Sequence, residues 1–254
     1  MLLKNKIALI YGAGGAVGGA VARTFAHEGA KVFLSGRNAR PVEAVAESII
    51  AAGGDAEVSN VDALNEDAVE RHTAEVVRRA GRVDVVLNAI GFAVAQGVPL
   101  TETRCDDFTT PIATWTKTQF LTARAAARDM VQKRSGVILM LSASPARSAI
   151  GLTGGFGVAC AAIEGLSRTL AAELSPQGVR VVCLRPHRIG DTLGAEPDFA
   201  MEPGAFRRLI ENMTLLKRLP TLNEVARTAA FLASDDAGAI TGAVANLTCG
   251  MAVD

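Results

Sequence analysis

The sequence predicts an α/β fold, a doubly wound parallel sheet of about seven strands between two layers of helices, forming a single domain. Three observations carry that prediction. Short, near-continuous apolar runs recur along the whole chain, as parallel strands covered on both faces require. Between them lie stretches whose apolar residues recur at three and four, the spacing of one buried helical face. No internal repeat, low-complexity tract or linker-like boundary interrupts the alternation, so residues 1–254 read as one domain.

Taken in order, the first strand is expected at Lys6–Tyr11, before a helix that lines up Val17, Val21 and Phe25 on one face. Strands follow at Lys31–Ser35, Glu57–Val61 and Val83–Leu87. The fifth, Gly136–Leu141, precedes a helix striped by Ile163, Leu166, Leu170 and Leu174. Val179–Leu184 and Val244–Leu247 complete the set. Alternation of this kind demands right-handed crossovers and helices on both faces of the sheet. The stretch from Pro186 to Pro220 departs from the pattern. Its prolines and glycines loosen the periodicity, yet Phe199, Met201, Phe206, Leu209, Ile210 and Met213 make it apolar. It follows a strand end, where ligands of open α/β sheets sit. Two readings remain for 186–220: a substrate lid, or a helical hairpin in a packing contact.

Composition narrows the function classes. Of the 254 residues 49% are hydrophobic and 20% charged, enough to bury a sizeable core. Lys plus Arg and Asp plus Glu both total 26, so net charge offers no reason to expect nucleic acid or an anionic membrane surface as partner. No apolar run has the length of a membrane span. Cys105, Cys160, Cys183 and Cys249 stand apart, with no Cys-x-x-Cys pair and no histidine cluster, so no metal site is expected. Unpaired thiols and a start without a signal-peptide pattern suit the cytoplasm.

The first strand ends in Tyr11-Gly12-Ala13-Gly14-Gly15-Ala16-Val17-Gly18-Gly19, and a helix follows. Glycines between a first strand and a first helix permit a tight turn and bring backbone N–H groups up to a pyrophosphate. They also suit close helix–sheet packing. At the end of the second strand stands Arg37, with no carboxylate nearby. An acidic residue there would bond the ribose 2′-hydroxyl of NAD, whereas an arginine accommodates the 2′-phosphate of NADP. Arg37 therefore favours NADP(H) over NAD(H), against the alternative of a solvated surface arginine.

On these residues the chain resembles the short-chain dehydrogenase/reductase family, a Rossmann-type fold. The turn looks like that family's Thr-Gly-x-x-x-Gly-x-Gly signature, with Gly12 and Gly18 in place, Tyr11 for the threonine and Ala16 for the middle glycine, whose methyl is expected to crowd a cofactor. The resemblance implies a cofactor cradle of Gly12, Gly14, Gly15, Val17 and Gly18. It implies an adenine segment at Asp62 and Ala63, a loop of Asn88, Ala89 and Ile90 after the fourth strand, and Pro186 and Ile189 beside the nicotinamide, with His187 in a glycine's place. Ile240-Thr241-Gly242 and Thr248-Cys249-Gly250 echo the last-strand pattern, at an end that in the family commonly builds a tetramer. A homotetramer or homodimer is expected, or a heteromer with an active homologue.

The family's chemistry uses an Asn, a Ser and a Tyr-x-x-x-Lys pair. Counting from Gly136–Leu141 puts Ala143 at the Ser, Phe156 at the Tyr and Cys160 at the Lys, while Gln119-Phe120-Leu121 sets Trp115 at the Asn. Tyr11 is the only tyrosine. Three neighbours are candidates to substitute. Ser142 and Ser144 flank the lost serine but alternate away from it on a strand, which suits capping or turn bonding equally. His187 has a pKa suited to proton transfer, or is a polar residue at a strand end. Cys160 reads as a small buried hydrophobe rather than a nucleophile. Arg185 and Arg188 meet an anionic ligand or solvent, and His27 and His72 are expected at the surface.

Three functions follow. The first is an atypical NAD(P)(H)-dependent oxidoreductase acting on an activated acceptor, an iminium or a conjugated enone, in a largely apolar pocket. The second is a non-catalytic subunit or NADP(H)-binding protein. The third is a non-redox isomerase, dehydratase or cyclase on the same scaffold.

Overall fold

The computed structural model describes residues 1–193 and 204–254. Seven strands form one parallel sheet: β1 Ile7–Tyr11, β2 Lys31–Gly36, β3 Asp55–Asn60, β4 Val85–Asn88, β5 Gly136–Leu141, β6 Val179–Pro186 and β7 Val244–Leu247. Their spatial order is β3-β2-β1-β4-β5-β6-β7. The helices are α1 Ala16–His27, α2 Ala39–Ala51, α3 Glu66–Ala80, α4 Cys105–Lys133, α5 Gly155–Leu174, α6 Ala205–Asn212 and α7 Leu222–Ala233. The expected doubly wound, single-domain Rossmann-type fold is the observed one.

Alternation along the strands divides the core between two faces. Ala8 and Ile10 of β1 point into one cluster with Val21 and Phe25 of α1, Val45 of α2 and Ala229 of α7. Leu9 and Tyr11 point into the other, with Val69 of α3, Met130 of α4 and Ile163 of α5. The predicted stripes of α1 and α5 are the faces that do this. The termini of the helices are set by local chemistry. Asn65 caps α3 by accepting from the Ala68 N–H, acidic Glu66 and Asp67 open it, and Gly81 ends it at φ +82°. Thr221 and Glu224 close a reciprocal capping box on α7.

Strand limits differ from the expected ones for identifiable reasons. β4 begins at Val85 rather than Val83, because the Val83 N–H donates to the Asp129 carboxylate and the Asp84 carboxylate accepts from the Ile7 N–H. β3 is an edge strand whose polar Asp55, Ser59 and Asn60 pair with β2 in register from Lys31 to Gly36. Pairing, not apolarity, sets its limits at Asp55–Asn60 in place of Glu57–Val61. Within 186–220, a 3-10 turn at Gly190–Thr192 and α6 are described, whereas Phe199 and Met201 lie outside the described residues. No described helix is long and apolar enough to cross a membrane, and no metal-ligand cluster forms among the described residues.

Candidate functional site: a cleft at the switch point of the sheet

Strand β1 pairs with β2 on one side and β4 on the other, so the chain's crossovers diverge between β1 and β4. In such a sheet the helices leave a crevice at the carboxyl ends of those strands. A cleft opens there. Gly12, Gly14 and Gly15 line it on the β1–α1 turn, Arg37 at the end of β2, Asp62 and Ala63 after β3, and Ala89 and Ile90 after β4. These eight expected cofactor residues thus come together from four separate segments.

The turn is built for close approach. Gly12 takes φ +77°, and a Cβ there would lie 2.8 Å from the Ala89 carbonyl carbon. A Cβ on Gly14 would meet that of Pro41 at 2.9 Å. Gly15 caps α1 without any side-chain bond, and no acidic residue stands in the first turn. The N–H groups and the positive dipole end of α1 therefore face the cleft uncompensated, the arrangement that binds a phosphate group. Ala16 opens the helix and is exposed. Its methyl does not line the cleft.

Five expected cofactor residues stand outside the lining. Gly18 is buried against the Gly12 carbonyl, so its lack of a side chain lets α1 pack on the turn. Val17 is half-buried beside it. Asn88 is buried and organises the loop after β4: its side chain donates to Thr122 Oγ1 at 3.0 Å and accepts from the Ile90 N–H at 3.0 Å. Pro186 closes β6, and Ile189 is buried beyond it.

Other lining residues escaped the sequence reading. Pro41 and Val42 start α2, Thr118 comes from α4, and Phe92 follows the Asn88–Gly91 stretch. Phe92 was the one with a signal, an isolated aromatic in an otherwise small-residue loop. Its ring lies 5.9 Å from the Arg37 guanidinium and 6.4 Å from the Trp115 ring. Trp115 in turn makes an edge-on contact with Phe156 at 4.8 Å. An aromatic cluster thus runs from the mouth of the cleft across α4 to α5.

Around that cluster, Cys160 is buried one turn beyond Phe156, and burial pushes its thiol up to about 12. It is a protonated, inert side chain. Tyr11 is fully buried against α3, where its hydroxyl meets Thr73 Oγ1 at 3.2 Å and His72 Nδ1 at 3.3 Å. Burial raises its pKa, so it offers no accessible acid. His72 is accordingly buried, not the surface residue expected, while His27 is exposed.

The two serines part company. Ser142 donates to the buried Glu164 carboxylate at 2.9 Å, turned into the core. Glu164 also pairs with Arg185 at 3.1 Å, and Arg185 reaches the exposed Asp254, so the buried Arg185 belongs to an ion-pair network that runs from the core to the surface. Ser144 lies past β5 on a 3-10 turn, Ser144–Ala146, and its Oγ is 2.7 Å from His187 Nδ1. Both are buried. Burial, then the neighbouring Arg188 charge, holds the His187 pKa below its ordinary value.

The chain resembles known oxidoreductases in sequence and fold. The sequence profile of a family described as enoyl-(acyl carrier protein) reductase matches residues 12–252. Tropinone reductase-like 2 from Erythroxylum coca is 32% identical over 250 residues, 94% of this chain and 88% of that protein. Among solved structures, an NAD+-bound xylitol dehydrogenase superposes with a TM-score of 0.89 at 25% identity, covering 96% of this chain and 98% of the other. A short-chain type dehydrogenase/reductase from Mycobacterium ulcerans gives 0.89 at 26% identity, covering 99% and 91%.

Proposed function

We infer a function from one premise: the chain belongs to the short-chain dehydrogenase/reductase family, a family of oxidoreductases that bind NAD(P)(H). On it we propose an NADP(H)-dependent enzyme that reduces an acceptor already activated towards hydride, an iminium or a conjugated enone, in an apolar aromatic pocket. The observation that carries this reading is the Trp115–Phe156 contact at 4.8 Å above a buried Cys160. On the register proposed for this family, Trp115, Ala143, Phe156 and Cys160 occupy the positions of its Asn, Ser, Tyr and Lys.

The residues divide the work as follows. Gly12, Gly14 and Gly15 bring backbone N–H groups to the pyrophosphate, and Arg37 reads the ribose 2′-phosphate. Bound NADPH supplies the hydride. Phe156 has no proton to give, and Cys160 has no charge to place at a ribose. General acid–base help worth about 10²–10⁴ in rate is therefore absent for a simple ketone. An iminium needs none, because hydride addition gives a neutral amine directly. An enone takes hydride at its β-carbon, and water protonates the resulting enolate. Trp115, Phe156 and Phe92 supply faces for a planar or cationic acceptor. The segment 186–220 is proposed as the lid over it.

A second reading is favoured by the internal bonding of both Ser142 and Ser144: a non-catalytic, NADP(H)-binding subunit. One experiment separates the two. Trp115 is the only tryptophan, so titration with NADPH and NADH is read by its quenching, by sensitised cofactor emission and by calorimetry. NADPH is expected to bind more tightly than NADH, with energy transfer, and Arg37→Ala to remove that preference, about tenfold. Turnover of iminium or enone acceptors without turnover of simple ketones supports the reductase. Binding without turnover of any acceptor supports the subunit, and absence of binding refutes both.

A further inference from the structure

His187 is 8% exposed and its Nε2 atom has no hydrogen-bond partner among the described residues. A buried polar atom left unpaired is costly, so native structures keep few of them without a reason. The tautomer follows from the partners. If Nδ1 carried the proton, the Ser144 hydroxyl proton and the Nε2 lone pair would both be unpaired. With the proton on Nε2, Ser144 Oγ–H donates to Nδ1 at 2.7 Å, and only the Nε2–H is left over. The orphan is a donor. Burial and the Arg188 charge keep the ring neutral, and Arg188 itself lies over the Phe206 ring at 5.1 Å.

The strand order places the donor beside the cleft. β4, β5 and β6 lie side by side, so the end of β6 is about 10 Å from the end of β4. On the cofactor reading, a dinucleotide whose adenosine half fills the cleft between Arg37 and Ile90 extends along that edge past β4, towards the end of β6 where Ser144 and His187 stand. The backbone there is fixed, since the His187 N–H donates to the Leu247 carbonyl of β7 at 3.3 Å.

We propose that Ser144 holds neutral His187 as a hydrogen-bond donor through Nε2–H to a carbonyl oxygen of the bound redox pair, either the carboxamide of the nicotinamide or the acceptor being reduced. This rests on the cofactor reading above. The donor does not transfer its proton; it positions or polarises the carbonyl and satisfies itself only when the ligand is present. The neutral pair is thus a substitute for part of the polarisation that a Tyr–Lys pair would supply.

The test uses the full chain, His187→Phe, which removes the donor and keeps the ring, and His187→Gln, which keeps an N–H at similar reach. Calorimetry compares NADPH with 2′-phospho-ADP-ribose, the same nucleotide without nicotinamide. The carbonyl stretch of cyclohex-2-enone bound to NADP+-loaded protein is read by infrared difference spectroscopy. If the carboxamide is the acceptor, His187→Phe weakens NADPH about tenfold and leaves 2′-phospho-ADP-ribose unchanged. If the enone oxygen is the acceptor, NADPH affinity holds and the downshift of the carbonyl stretch disappears. In either case His187→Gln restores most of the effect. A His187→Phe protein that changes neither quantity overturns the assignment while leaving the cofactor reading intact. Wild-type protein that binds neither nucleotide overturns the cofactor reading and this assignment with it.

Discussion

At the scale of single residues, the cleft wall is stiffened by a hydrogen-bond chain with a defined direction. Thr73 Oγ1 donates to the Val69 carbonyl at 3.0 Å, Tyr11 donates to Thr73, and His72 Nδ1–H donates to Tyr11, leaving His72 Nε2 without a partner among the described residues. Burial lowers the His72 pKa to about 4 from its ordinary 6.5. Between those values the unfolded chain takes up a proton that the folded chain refuses, so stability falls as the pH falls through that window. The contribution reaches about 3 kcal/mol at the acid end and is absent above pH 7. Urea unfolding at pH 7 and pH 5 should show the loss. His72→Asn, which keeps a donor near the Nδ1 position but does not titrate, should reduce the slope by up to one proton. His187, shifted the same way, contributes to the part of the slope that remains. An unchanged slope in His72→Asn would mean that His72 is solvated. The burial of His72 was legible: with Val69, Thr73 and Val76 it falls on the inner face of α3 at spacings of three and four. Charged neighbours on both sides obscured it.

At the scale of elements, the register proposed for the family's catalytic positions turns on α5. Phe156 and Cys160 are one turn apart on it, so both turn towards α4 and β5, where Trp115 and Ala143 stand. The proposed register of Ala143, Phe156 and Cys160 rests on β5 and the Ile163 stripe, which bracket them, and that of Trp115 on Gln119-Phe120-Leu121. Their environment was legible only in part. Cys160 was expected to be buried and is, but nothing in the sequence says that Phe156 would meet Trp115 edge-on, or that Ser144 would leave the strand on a 3-10 turn and meet His187. Tertiary packing decides both. It follows that Cys160→Lys alone should destabilise the fold by about 2–4 kcal/mol, the cost of a buried cation without a partner, read as a lower urea midpoint. Combined with Phe156→Tyr and Ala143→Ser, the new lysine gains a phenol and a ribose to bond. The triple variant should oxidise NADPH with a simple ketone where the wild-type chain does not. A folded triple variant that binds NADPH and stays inactive would show that more than these side chains separates this site from its relatives. Trp115→Asn is then the next substitution to add.

At the scale of the whole molecule, the cleft brings together segments from the β1–α1 turn, the end of β2, the end of β3 and the end of β4. The alternation of strands and helices made this junction predictable, since a doubly wound sheet has a single switch point beside its first strand. The residues supplied by chance of packing, Pro41 and Phe92 among them, were not predictable, because their contribution depends on the angle at which α2 and the loop after β4 leave the sheet. A ligand seated there binds only the folded chain, so it adds stability by mass action. At one hundred times its dissociation constant NADPH should contribute about 2.7 kcal/mol. For a chain of this length that corresponds to a rise in Tm of about 5–10 °C. Arg37 lines the cleft and is exposed, so removing it costs the fold little while removing the proposed phosphate contact. Arg37→Ala should therefore keep its unliganded Tm within about a degree of wild type, as surface substitutions generally do. In that variant NADPH and NADH at equal concentration should raise Tm by the same amount. A persistent advantage for NADPH in Arg37→Ala would place the 2′-phosphate on another residue of the α2 start, and Arg40 would be the next to change.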